Sequence, residues 1–97
     1  MEWGASLEEE TRVEIDPLQL GTLELGDAWV PYVDLYDSEF MPAEISVLDN
    51  TYRFTASFLV KGHGATMPQL IRALRQEGKR PLVVERSDRY YVFASAA

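Results

Sequence analysis

The 97 residues include no cysteine, which excludes a disulfide framework and a thiolate zinc site. No apolar run approaches the ~18 residues that a membrane-spanning helix needs. The opening "MEWGASLEEETR" has neither a basic region nor an apolar core, so no secretory signal is expected and a cytoplasmic location is. Histidine occurs once, at position 63, with no serine or cysteine near it in sequence to form a nucleophile pair. The P-loop pattern and the G-x-G-x-x-G fingerprint are both missing, since Gly62 and Gly64 are followed by Met67. EF-hand spacing is not met by Asp34, Asp37 and Glu39, so no metal site is expected. Neither a cofactor nor a catalytic group is expected, and the chain reads as a non-enzyme.

Basic residues are scarce in one half only. Residues 1–50 carry thirteen acids and a single base, Arg12, for a net −12. Residues 51–97 carry eight bases and three acids, for a net +5. Two readings of this split are open. In one the halves fold together and neutralise each other; in the other they present charged faces to partners. The RRM signature is absent and the net charge is −7, which argues against nucleic acid as the partner.

What is present fits one small folded domain. Hydrophobic residues make up 46% and aromatic residues 11%, enough for a core without covalent staples. Residues 1–10 read as a flexible acidic tail, because "EEE" is followed by no apolar stripe that would hold a helix. Residues 11–97 read as a single α+β domain: an antiparallel sheet of about five to six strands, with one amphipathic helix at about 67–77 packed on one face.

Alternation marks the strands. "TRVEID" places Val13 and Ile15 on one side and is ended by Pro17. "LQLGTLEL" changes phase at Gly21–Thr22, which predicts a turn or bulge there. "AWVPYVDLY" holds Pro31, which predicts an edge strand or a strand start, with a short helix over 31–40 as the alternative. Asp49–Asn50 predicts a hairpin that pairs Val47 with Tyr52 and Ile45 with Phe54. Ser87–Asp88 predicts a second hairpin that pairs Val84 with Tyr91, Leu82 with Phe93 and Val83 with Val92. That register also opposes Arg86 and Arg89, so an acidic group is expected nearby.

Between the hairpins, Met67, Leu70, Ile71 and Leu74 recur at helical spacing and form one stripe. Thr66 and Gln69 suggest a capping box, and Gly78 with Pro81 marks the stop.

Two candidate sites emerge. The acidic half, through Asp27, Trp29, Tyr32, Asp34, Tyr36, Asp37 and Glu39, would present carboxylates and aromatic anchors to a basic protein partner. The alternative is a small-ligand or anion site in the loop Lys61, Gly62, His63, Gly64 and Thr66, where a strand leads into a helix N-terminus. Strand edges also need cover, and pairing into a homodimer is an expected way to provide it.

Overall fold

The computed structural model describes residues 12–26, 28–35 and 42–95. The expected acidic tail, 1–10, lies outside these residues, as do Asp27, Tyr36, Asp37 and Glu39. The fold is α+β, with one sheet and one α-helix among the described residues. Seven strands run β1 (Arg12–Glu14), β2 (Gly21–Leu25), β3 (Ala28–Asp34), β4 (Glu44–Val47), β5 (Asn50–Leu59), β6 (Arg80–Arg86) and β7 (Arg89–Ser95). Helix α1 (Thr66–Gln76) lies between β5 and β6. The sheet order is β1-β4-β5-β7-β6-β3-β2. No described helix is long and apolar enough to cross a membrane.

The expectation of five to six antiparallel strands is corrected to seven strands in a mixed sheet. β1 runs parallel to β4, and β3 runs parallel to β6. Alternation tells which residues share a face but not which distant strand is the neighbour. β3 is therefore interior instead of an edge strand. It accommodates Pro31 because its ladder with β6 begins one residue later, at Tyr32 paired with Val83.

A flat sheet of this order could not be threaded. Its two edges, β1 and β2, would stand about 29 Å apart at about 4.8 Å per strand. Only seven Cα steps join Glu14 to Gly21, which reach at most about 25 Å, and a 3-10 turn at Pro17–Gln19 shortens them further. The sheet must curl. The connecting residues cross its concave face, where Ile15 joins Val33, Ile45, Leu82, Val84 and Phe93 in one buried cluster. The Asp16 N–H donates to Gln19 Oε1 and the Leu18 N–H donates to Asp16 Oδ1, each at 3.0 Å, and together they cap that 3-10 turn. The phase change in "LQLGTLEL" thus marks a change of element: Leu20 packs with the concave cluster, while Leu23 and Leu25 pack with the helix.

The convex face carries α1. Met67, Ile71 and Leu74 are buried against Val30, Val83 and Val92, with Leu70 half-buried beside them, as the stripe predicts. The helix stops as expected. Gly78 adopts φ +82, its N–H donates to the Arg75 carbonyl, and the Lys79 N–H donates to that of Leu74 at 2.9 Å. Its start differs. Ala65 is the N-cap and no side chain caps the helix, so the Thr66–Gln69 box does not form. Thr66→Ala is accordingly expected to change stability by less than about 0.5 kcal/mol, where loss of a true cap costs about 0.5–2 kcal/mol. Urea midpoints of the two proteins check this.

The C-terminal hairpin has the predicted register throughout, including Arg86 opposite Arg89. Arg89 Nη1 donates to Ser57 Oγ at 3.2 Å. The first hairpin slides by two residues: Val47 pairs with Asn50 and Ile45 with Tyr52, around Leu48–Asp49. A two-residue slide keeps the side chains as far as Phe54 on their expected faces, and the β-bulge after Phe54 turns Ala56 to the other face. On the convex face the slide lines up Arg12, Glu44 and Arg53. Arg12 binds one Glu44 oxygen and Arg53 the other, each at 2.9 Å. Chiefly through the Arg12 hydrogen bond, Glu44 is held below its ordinary pKa. This exposed ladder ties three strands together and leaves the carboxylate fully engaged.

Candidate functional site: a tyrosine and carboxylate strip

The chemistry concentrates where the convex face emerges from under the start of α1. β3 alternates Val30, Tyr32 and Asp34 onto this face. Pairing with β6 sets Asp34 beside Glu85, pairing with β7 sets Glu85 beside Tyr90, and pairing with β5 sets Tyr90 beside Phe58. A β-bulge between Phe54 and Ala56 changes the phase of β5 and so brings Phe58 onto this side. The result is a row across four strands: Asp34, Glu85, Tyr90, Phe58. Asp34 is exposed and the other three are half-buried.

Tyr32, half-buried one step nearer the helix, donates its hydroxyl to Glu85 Oε1 at 2.5 Å. A phenol donating to a carboxylate forms a short, charge-assisted bond. Burial first, then the Glu85 hydrogen bond and the charges of Glu85 and Asp34, push the Tyr32 phenol well above its usual pKa of 10.0. Tyr90 is pushed up as well, by burial and then by Glu85. Both phenols therefore stay neutral, chiefly because they are buried.

The sign of the pH dependence follows. Above pH 10 the unfolded chain releases the Tyr32 proton while the folded chain keeps it. The stability from this bond is full below about pH 10 and declines as pH rises toward the folded pKa. Tyr32→Phe is expected to cost about 1–2 kcal/mol at neutral pH and to flatten the alkaline decline. Urea midpoints from neutral to strongly alkaline pH measure both.

The loop from the second candidate site closes one side of the strip. His63 packs its ring on Tyr90, centroids 6.0 Å apart. Its Nδ1 lies 3.0 Å from the Gly64 carbonyl, and a carbonyl only accepts, so Nδ1 carries the proton. Lys61, Glu85 and Asp88 line an open cleft of about 410 Å³ together with Leu59, Val60 and Ser87. Gly62 and Gly64 supply the positive φ values, +103 and +59, that let the chain turn from β5 into α1. The Thr66 N–H donates to the His63 carbonyl at 3.1 Å, and Pro68 has no N–H. The helix start therefore offers an anion few free donors.

The two sequence-derived candidates thus meet in space. Tyr32 and Asp34 of the acidic set lie on the strip, and His63 and Lys61 of the loop border it. Trp29 does not join them. It is 58% exposed, but alternation along β3 turns it to the opposite face from Tyr32 and Asp34. Glu85 and Tyr90 were absent from both sets, because their place beside Asp34 depends on the β3–β6 pairing. Among the described residues no three metal-ligating side chains converge. No protein-family model matches the chain, and neither a curated protein nor a solved structure matches it.

Proposed function

We propose that the protein is a non-catalytic interaction module whose strip of Tyr32, Asp34, Glu85 and Tyr90 receives lysine or arginine side chains of a basic partner protein. The observation that carries this reading is the Tyr32–Glu85 hydrogen bond. It fixes one carboxylate in place beside a second, Asp34, between two neutral phenol rings. Carboxylates satisfy the hydrogen-bond donors of a cation, and ring faces attract its charge. Tyrosine also supplies contact area at low entropic cost, which suits it to interface centres. Phenols held above their usual pKa are poor bases and nucleophiles, which supports binding over catalysis. Asp27, Tyr36, Asp37 and Glu39 extend the same proposal outside the described residues.

Titration with a lysine- and arginine-rich peptide tests the reading. Affinity is expected to fall at least about tenfold between about 0.05 M and about 0.3 M salt, as charge-steered binding does. Binding that ignores salt, or no binding at low salt, contradicts it.

A further inference from the structure

β2 ends the sheet, and among the described strands none pairs with its outer edge. Pro31 determines which backbone groups that edge presents. Antiparallel partners alternate between hydrogen-bonded and non-hydrogen-bonded pairs. Proline has no N–H, so Thr22–Pro31 takes the non-hydrogen-bonded role, and Gly21–Tyr32, Leu23–Val30 and Leu25–Ala28 take the bonded one. Two contacts agree with this phase. The Leu35 N–H donates to the Glu85 carbonyl at 3.0 Å, and the Trp29 carbonyl accepts from Arg75 Nη2 at 2.6 Å. Odd-numbered residues of β3 thus direct their backbone groups toward β6 and the helix, away from β2. On β2, Thr22 and Glu24 direct their N–H and C=O groups outward, and both residues are exposed.

We propose that this edge pairs with the same edge of a second copy of the chain, antiparallel, about a two-fold axis at Leu23. The register sets Thr22 against Glu24 of the second copy and Glu24 against Thr22 of the second copy. Each of these pairs exchanges two N–H···O bonds, so all the outward groups of both residues are used. Centring on Thr22 would leave Glu24 without a strand partner, and centring on Glu24 would oppose two like charges. Leu23, half-buried on the helix side, meets Leu23 of the second copy in a non-hydrogen-bonded pair, the kind in which side chains approach most closely. The five-residue strand has no lysine, no proline and no register shift to guard its edge, and its one charge is Glu24. The other sheet edge, β1, has three residues, and its Arg12 is already tied to Glu44. This pairing is independent of the cation-binding reading of the strip.

Amide hydrogen exchange on the full chain, at low and high protein concentration, tests the pairing without any variant. The Thr22 and Glu24 amides should gain at least about tenfold protection as concentration rises, while Leu23 and Leu25 stay protected throughout. Thr22→Pro removes an outward N–H and no bond within the chain, so it should sediment as a monomer, and at dilution, where the wild type is monomeric too, its melting curve should be unchanged. Leu23→Pro removes an inward N–H and should destabilise the fold. A wild-type chain that sediments as a monomer at about 1 mM overturns the proposal. Unprotected Thr22 and Glu24 amides at that concentration, or a folded Thr22→Pro chain that still dimerises, overturn it as well.

Discussion

Phe93→Ala is expected to destabilise the protein by about 3–5 kcal/mol, the range for truncating a fully buried aromatic side chain. Phe93 is 0% exposed and lies in the middle strand of the sheet, on the concave face. It pairs with Leu82 on one side and Phe54 on the other, with the Phe54 ring edge-on at a centroid distance of 5.9 Å. Removing the ring forfeits its burial and leaves a cavity that a curled sheet, closed over by residues 15–20, cannot easily fill. Small domains are stable by about 5–15 kcal/mol, so a large part of the folding free energy would go. Ile71→Ala, on the helix side, should cost about 2–5 kcal/mol. Arg72→Ala, its exposed neighbour, should stay within about 0.5 kcal/mol. Urea denaturation reads all three. Similar midpoints for Ile71→Ala and Arg72→Ala would contradict the helix placement. A small effect of Phe93→Ala would contradict a core on the concave face.

The second large effect concerns binding. Combining Asp34→Lys with Glu85→Gln reverses one charge of the strip and removes the other, while the amide oxygen still accepts from Tyr32. Affinity for a cationic peptide at low salt should fall roughly tenfold to a hundredfold. Glu77→Lys is the control. It reverses an exposed acid just past the end of α1, whose salt bridge to Lys79 is 3.3 Å long and of little worth. If the control weakens binding as much as the double variant, the peptide senses net charge and not the strip. The melting curve of the double variant separates lost binding from lost folding.

How much of this was legible in the sequence depends on the range of the interaction. The stripe Met67, Leu70, Ile71, Leu74 was legible because helical periodicity is local, and so was the helix stop at Gly78. The C-terminal hairpin was legible to the residue because Ser87–Asp88 admits one good register for its apolar pairs. The first hairpin was legible only in its faces. A shift of two residues preserves the pattern of period two, so nothing in the alternation distinguished Ile45 opposite Phe54 from Ile45 opposite Tyr52. The turn itself places Leu48 at φ +55, a conformation that leucine does not advertise. The parallel pairs β1–β4 and β3–β6 were not legible at all, because they join segments with no turn between them. The site shares that fate. Tyr32 and Asp34 could be singled out as an aromatic beside acids in an acidic segment. Glu85 and Tyr90 could not, since only the β3–β6 ladder carries them there. Trp29 was grouped with the acids by proximity in sequence, which strand alternation does not respect.

The most direct test of the central claim is a map of backbone amide shifts during titration with a lysine- and arginine-rich peptide at low salt. Saturable shifts are expected to concentrate at Tyr32, Asp34, Glu85 and Tyr90 and to fade as salt is added. Shifts of equal size at Glu14, Glu24 and Asp49, acids spread over the rest of the surface, would contradict that claim.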